Sequence, residues 1–400
     1  MSEDLVQAIT ETLGACLADA KRPVALHEPC FEGNEWKYVK DCLDTGWVSS
    51  VGAYVDRYEV ELARAMDVAR AVAVVNGTAA LHVCLLLAGV ERDDEVLLPA
   101  LNFIASANAV SYCAAVPHFV DIEEETLGVS AERLRVYLAG ISERRQAGLF
   151  NRTTGRRIRV LVVMHTFGHP CDLDALKAVC DEFDLPLIED AAEALGTQYK
   201  GRPVGSSGLL STLSFNGNKI VTTGGGGAIL TNDLVLADKA KHLTTTARRP
   251  HRWEFIHDEV GFNFRLPNLN AALGCAQLER LEEAVARKRA LADRYRAAFA
   301  GISGVRFFTE PSHGASNYWL NTLILDRPFA HLRDSILERT NDAGLITRPA
   351  WTLMHRLPMY GSCPKMDLRV CEDLASRIIN IPSSAFLGGP AVRQGHSSPV

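Results

Sequence analysis

The chain has 400 residues, of which 47% are hydrophobic and 22% are charged, and its formal net charge is −6. This length favours one large domain with a smaller one, and the composition is that of a globular protein. Because there is no basic block, a nucleic-acid or anionic-membrane surface is not indicated.

Short β-branched runs alternate with helical stretches between residues 70 and 232. The runs predicted as strands are AVAVV (71–75), EVLLP (95–99), VPHFVD (116–121), RVLVVM (159–164) and LPLIED (185–190). Near-continuous apolar strands separated by helices are typical of a parallel sheet that is covered on both faces. We therefore predict an α/β fold, with a ligand site at the carboxyl ends of the strands.

The rest of the chain suggests how this sheet is extended into domains. The charged segment 141–158 is predicted as a surface excursion between two strands. Asn268 is predicted to cap one long helix that ends near Phe299 and leads into a smaller domain. The predicted division is an N-terminal extension and helix (1–30), a large domain (31–267), a small C-terminal α+β domain (268–388) and a disordered tail (389–400).

Two features of the sequence bear on the cellular location of the protein and on metal binding. The first residues carry acids before any apolar run, unlike a signal peptide, and no run of about 18 apolar residues could span a bilayer. We expect a cytoplasmic protein with no membrane partner. The ten cysteines form no Cys-x-x-Cys pair, so no metal site is predicted.

The first candidate for chemistry is the sequence NGTAA (76–80), which follows a predicted strand and opens a helix. Gly77 allows close backbone approach, Thr78 offers a hydroxyl, and free N–H groups at a helix start favour an anion. This pattern predicts a phosphate cradle. The alternative is a simple capped strand-to-helix turn.

Two other strand ends carry side chains that suit a flat, electron-withdrawing ring. Asp190 ends LPLIED, and a carboxylate there could keep a pyridine nitrogen protonated; the alternative is a helix cap. Phe103 follows EVLLP and could stack on a ring; the alternative is core packing.

The segment SFNGNK (214–219), followed by TTGGGG, supplies the nucleophile candidate. Lys219 lies near the end of a predicted strand among small polar residues and is a candidate for a Schiff base. The alternative is a solvated loop lysine. No glycine fingerprint opens a helix here and no Gly-Lys-Ser/Thr occurs, which argues against dinucleotide or Walker-type sites.

Taken in order, these motifs resemble the DegT-type sugar aminotransferases, a family of pyridoxal-phosphate (PLP) enzymes of fold type I. The resemblance extends from about Pro23 to Leu387. It is carried by GWVSSVGAYVDRYE, NGTAALH, IEDAAEALG, SFNGNKIVTTGGGGAI, HDEVGFNFRLPNLNAALGCAQLERL and TRPAWTLMHRLPMY. Within the family the sequence is most similar to the branch that aminates 4-keto-6-deoxy-N-acetylhexosamines for legionaminic-acid-type sugars.

The resemblance implies a catalytic Lys219 that binds PLP covalently and then moves protons, and an Asp190 that pairs with the ring nitrogen. Phe103 would stack on the ring. The cofactor-binding set would also include Gly77, Thr78, Ala79, Glu193, Ser214 and Asn263. Asn263 would reach the phosphate of the neighbouring subunit's cofactor, which implies a homodimer with shared active sites.

The resemblance also implies substrates. Glutamate would donate its amino group, and a UDP- or GDP-linked keto-sugar would receive it. The implied sugar-nucleotide contacts are Trp47, Val48, Ser49, Ser50, Arg348, Trp351 and His355. A related dehydratase branch has histidine in place of the Schiff-base lysine, and Lys219 argues against that chemistry. A non-catalytic sugar-nucleotide sensor would not need Lys219, Asp190 and Ser214.

One position departs from the family pattern. Many members have glutamine three residues after the aspartate, where this chain has Glu193. Glutamine can donate to the phenolic oxygen of the cofactor, whereas an ionised glutamate cannot. Glu193 is therefore either protonated beside the ring or turned toward a sugar amide or another donor, and the sequence leaves both open.

Overall fold

The computed structural model describes residues 2–389, and these form an α/β structure. The α-helices are α1 (Ser2–Cys16), α2 (Glu35–Thr45), α3 (Ala53–Ala65), α4 (Gly77–Leu87), α5 (Ile104–Tyr112), α6 (Ala131–Ile141), α7 (Leu173–Phe183), α8 (Leu234–Thr244), α9 (Asn268–Leu278), α10 (Leu281–Phe299), α11 (Arg333–Asp342) and α12 (Arg369–Ala375).

The strands are β1 (Arg70–Val74), β2 (Glu95–Pro99), β3 (Val116–Val120), β4 (Ser142–Arg145), β5 (Gly148–Asn151), β6 (Arg157–Met164), β7 (Leu187–Asp190), β8 (Gln198–Tyr199), β9 (Arg202–Pro203), β10 (Leu210–Ser214), β11 (Gly227–Thr231), β12 (Val305–Phe307), β13 (Gly314–Ala315), β14 (Asn321–Leu325), β15 (Arg348–Pro349) and β16 (Ile378–Ile381). No helix among the described residues is long and apolar enough to cross a bilayer.

The main sheet has the strand order β1-β11-β10-β7-β6-β2-β3. The pairs from β10 to β3 are parallel, and β11 runs antiparallel to both of its neighbours. Strands β2 and β7 are buried along their whole length, as expected for a parallel sheet with helices on both faces. This confirms the predicted α/β class and brings the ends of β6, β7 and β10 to one edge.

A second, antiparallel sheet has the order β12-β14-β16-β15. Its apolar face packs with α1 and α10 in a core of its own, which contains Leu13, Leu291, Tyr295, Leu323 and Ile379 among others. The first core surrounds the main sheet. Helix α1 joins the second core, while α9 packs against α2 and α3 beside the main sheet.

Two predictions about the helix that begins at residue 268 need correction. The predicted single helix from residue 268 is two helices, because the chain leaves helical geometry at Arg280, with φ −112° and ψ 11°. Asn268 does not cap it; its Oδ1 accepts hydrogen bonds from the backbone N–H groups of Tyr54 and Val55 in the first turn of α3. The segment 141–158 forms the β4–β5 hairpin, and β5 pairs with β6. Residues 390–400 of the predicted tail lie outside the described residues.

Candidate active site

A cleft of about 310 Å³ opens where β6, β7 and β10 end. Its size lies within the range of about 300–1,000 Å³ that is usual for small-molecule sites. Its walls come from five strand-end segments and two later segments of the chain: Asn76, Gly77, Thr78, Leu81, Phe103, Ala105, Met164, Asp190, Ala192, Glu193, Ser214, Asn216, Asn218, Lys219, Gly225, Gly226, Trp319 and Trp351. The carboxyl-end position is the one that the sequence predicted.

One end of the cleft is formed by the start of α4. The Asn76 side chain accepts a hydrogen bond from the N–H of Ala79 at 2.8 Å and so caps the helix. The first-turn N–H groups and the helix dipole favour an anion there. A Cβ on Gly77 would lie 3.0 Å from the Cβ of Ser214, so only glycine lets the helix start lie this close to β10. Thr78 and Ser214 line the same end, and the arrangement suits a phosphate.

Asp190, at the end of β7, also lines the cleft and is buried. Its Oδ2 accepts a hydrogen bond from the Ser106 hydroxyl at 2.9 Å, and its Oδ1 accepts one from the N–H of Ala192 at 3.2 Å. These two bonds fix the orientation of the carboxyl group. Asp190 is therefore suited to pair with a protonated ring nitrogen.

Lys219 extends into the cleft from the loop after β10. Its Nζ donates to Oε1 of Glu193 at 3.3 Å and lies 3.9 Å from the ring centroid of Trp319. The lysine side chain is 13% exposed and that of Glu193 is 2% exposed. This placement excludes the alternative of a solvated loop lysine.

Glu193 is held by a strained turn. Its Oε2 accepts a hydrogen bond from the N–H of Phe167 at 3.0 Å, and Phe167 has a left-handed φ of 57°, which is costly for a bulky residue and clusters at functional sites. Burial raises the pKa of Glu193 to about 7, and the nearby Asp190 charge adds to this, while Lys219 and the Phe167 N–H oppose it. The Glu193 carboxyl group here faces Lys219 Nζ and the Phe167 N–H, and its role beside the cofactor remains a prediction.

Trp319 is a site residue that sequence reasoning missed. Its indole N–H donates to the carbonyl oxygen of Asn218 at 2.8 Å. The Asn317 side chain ties the same segment to the loop of Glu193, since its amide donates to the Glu193 carbonyl at 2.9 Å and its oxygen accepts from the Trp319 N–H at 2.7 Å. Gly168, at φ 93°, makes this approach possible, because a Cβ there would lie 2.0 Å from the Asn317 oxygen.

Aromatic side chains form the remaining wall. Phe103 is 50% exposed, so it is not a core residue, and its ring lies 6.2 Å from that of Trp351 at 61°. Trp351 also packs on Phe167, with ring centroids 4.9 Å apart. A flat ligand placed between the phosphate end and Asp190 would have Phe103 and Trp351 beside it.

Other predicted residues do not line the cleft of this chain. The N–H of Ala79 is used in the helix cap. Asn263 is exposed and accepts from the Arg265 guanidinium at 3.0 and 3.1 Å. Arg348 bonds Asn341, and His355 bonds Glu372. Trp47, Val48, Ser49 and Ser50 lie on the surface loop before α3. Their predicted roles remain predictions.

The comparisons with known proteins agree with this geometry. Residues 29–394 match the DegT/DnrJ/EryC1/StrS aminotransferase family. The chain belongs to this family. It is 37% identical over 361 residues to the GDP-perosamine synthase of Vibrio cholerae, covering 90% of this chain and 94% of that protein.

Solved structures show the same fold. The aminotransferase TlmJ from Streptoalloteichus hindustanus is 29% identical with a TM-score of 0.80, and the match covers 90% of this chain and 93% of that one. DesI, solved with its TDP-sugar product, is 28% identical with a TM-score of 0.79, covering 90% and 88%. The chain is therefore a PLP-dependent aminotransferase of fold type I, and the nucleophile, acid and phosphate end described above fit that cofactor.

Proposed function

We propose that this DegT-family enzyme transfers the amino group of glutamate to the C4 keto group of a nucleotide-linked 4-keto-6-deoxy sugar. The expected acceptor is a UDP- or GDP-linked 2-acetamido-4-keto-2,6-dideoxyhexose. The observation that carries the proposal is the placement of Lys219 between Glu193 and Trp319, in a cleft that Asp190, Gly77, Thr78 and Ser214 also line. The relatives whose names refer to GDP-perosamine and to a TDP-sugar product support a nucleotide-sugar substrate.

Each residue has a distinct proposed part. When bound, PLP acts as an electron sink for the carbon that exchanges its amine. Asp190 would hold the ring nitrogen protonated, and Gly77, Thr78 and Ser214 would hold the phosphate. Lys219 would bind the cofactor covalently and move a proton at its Nζ to and from the reacting carbon. Trp319, which is buried and lies against Lys219 Nζ, would keep water from that side of the lysine.

The substrate end is proposed to include a second copy of the chain. Trp351 is the member of the predicted sugar-nucleotide set that lines the cleft. Lys219 is the one cationic side chain among the cleft-lining residues named above, which leaves a nucleotide diphosphate with no other positive partner from this chain. Asn263 and the loop with Trp47 are exposed, as they would be if they contacted the neighbouring subunit. This supports a homodimer with shared sites.

Two other functions fit this cleft less well. A dehydratase would not need the lysine, and a sugar-nucleotide sensor would need neither the lysine nor the buried Asp190. The cleft combines Lys219, Asp190 and Ser214. This arrangement favours transamination over both.

The test is a product assay. The purified protein with PLP is incubated with ¹⁵N-labelled glutamate and each member of a panel of UDP- and GDP-linked 4-keto-sugars, and the products are weighed by mass spectrometry. The proposal expects a ¹⁵N-labelled amino-sugar from at least one member and none from Lys219→Ala. Lys177→Ala, which removes an exposed lysine paired with Asp181, is the matched control. Label that appears in no sugar of the panel would contradict the proposal.

A further inference from the structure

Glu193 is a buried carboxyl group whose only hydrogen bonds among the described residues come from Lys219 Nζ and from the Phe167 N–H. The main-chain carbonyl of Glu193 is fixed separately by Asn317. The carboxyl group is therefore held in place whether or not Lys219 is charged. It is 3% exposed, so water cannot readily replace the lysine as its partner.

The charges around Glu193 are few. Lys219, on the loop after β10, is the cation that faces it, and Asp190, at the end of β7, is the nearby acid. Trp319 covers the lysine from the segment before β14 and carries no charge. His27 packs near Trp319, with ring centroids 6.4 Å apart, and burial lowers its pKa well below the usual value, so it is neutral.

We propose that Glu193 receives the proton that the Lys219 ammonium gives up when this lysine becomes covalently bound to the cofactor, and returns it when the lysine is released. The inference rests on the proposed role of Lys219. It assigns Glu193 as a proton acceptor whose ionisation state reports whether the lysine is free.

The atoms balance without an added reagent. The Lys219 ammonium first gives one proton to the Glu193 carboxylate. The lone pair thus freed on Nζ then forms the bond to the carbonyl carbon, and the two remaining protons leave with the carbonyl oxygen as water. Nothing is oxidised or reduced, and a charged pair is replaced by a neutral acid beside a neutral nitrogen.

The physical reason is the loss of the only facing cation. Burial raises the pKa of Glu193 to about 7, even though the charge of the Lys219 ammonium opposes this rise. When the ammonium disappears, this opposing charge is lost, while burial continues to raise the pKa of Glu193. A buried carboxyl group in that position takes up a proton, because an unpaired buried charge is costly.

The proton count tests this directly. Cofactor-free protein is mixed with PLP at about pH 8, and the protons released are measured by calorimetry in buffers of different ionisation enthalpy. Glu193→Gln cannot take the proton and is expected to release about one proton per site more than the wild-type protein. Glu143→Gln, a change at an exposed residue of the β4–β5 hairpin, should match the wild type. Equal release from Glu193→Gln and the wild type would overturn the inference.

A second measurement needs no variant to fold well. Infrared difference spectra of the wild-type protein, recorded on addition of PLP, should gain the carbonyl stretch of a protonated carboxylic acid. The absence of that band in protein that shows the lysine-bound cofactor by visible absorption would also overturn the inference. If the cofactor does not bind covalently at all, it is instead the role of Lys219 that fails.

Discussion

The ammonium nitrogen of Lys219 lies 3.9 Å from the ring centroid of Trp319, and the indole N–H of Trp319 donates to the carbonyl of Asn218 at 2.8 Å. One side chain therefore provides a surface for the lysine and also fixes the peptide that precedes it. Such cation–π contacts contribute about 0.5–2 kcal/mol. Lys288, which is fully buried, donates to the Trp319 carbonyl at 3.1 Å and so anchors the backbone of the tryptophan.

Replacing Trp319 with leucine should therefore reduce the turnover rate more than it changes substrate binding. We expect kcat to fall about 10-fold, because a loss near 1.4 kcal/mol in positioning corresponds to that factor, with a smaller change in KM. Trp319→Phe keeps an aromatic face and should lose less. Trp253→Leu, at an exposed tryptophan, is the control. Steady-state kinetics in which leucine and phenylalanine are equally harmful would argue against the aromatic contact.

The site residues at the strand ends could be predicted from the sequence, whereas Trp319, which contacts Lys219, could not. Asp190 and Lys219 follow apolar runs, and the carboxyl ends of parallel strands necessarily meet at one edge. Trp319 lies just before β14 of the antiparallel sheet. The Asn317 side chain and the strained turn at Phe167 bring it into the site. No periodicity in the sequence encodes such a long-range contact.

Local rules also misassigned one residue and left another open. Asn268 fits a capping pattern, yet its side chain is used by α3, because α9 packs against that helix. For Glu193 the sequence left the partner open, and its two partners, Phe167 and Lys219, are brought near it only by the fold.

The raised pKa of Glu193 predicts a pH-dependent stability of the cofactor-free protein. Its pKa rises from 4.5 to about 7 in the fold, so the stability that the protonated group contributes is full below about pH 4.5 and is lost as the pH rises through 7. Glu193→Gln stays neutral. Its free energy of unfolding, relative to that of the wild type, should increase by about 3 kcal/mol between about pH 5 and about pH 8. Urea denaturation at both pH values measures this, and a difference that does not change with pH would refute it.

Gly77→Ala should weaken cofactor binding. The new Cβ would lie 3.0 Å from the Ser214 Cβ and 3.3 Å from the Leu213 carbonyl, which pushes the helix start away from β10. We expect the Kd for PLP to rise about 10-fold, which corresponds to a loss near 1.4 kcal/mol. Gly140→Ala in α6, where a Cβ meets nothing within 4 Å, is the matched control. Equal affinities from absorbance titration would place the phosphate elsewhere.

Asn268→Ala should destabilise the fold without touching the cleft. It removes the two bonds that the side chain accepts from Tyr54 and Val55 and the one it donates to the Trp47 carbonyl at 2.7 Å. The expected loss in unfolding free energy is about 1–3 kcal/mol, because buried donors and an acceptor lose their partner. Denaturation with the Kd for PLP as a parallel readout checks this, and an unchanged midpoint would contradict it.

The most direct test of the account is the visible absorption spectrum of the protein with PLP, before and after excess glutamate. The account predicts the band of a lysine-bound cofactor, its loss with glutamate as the pyridoxamine form rises, and no such band in Lys219→Ala. A wild-type protein without the band, or a Lys219→Ala variant that keeps it, would contradict the assignment of Lys219. A band that does not respond to glutamate would contradict the proposed amino donor.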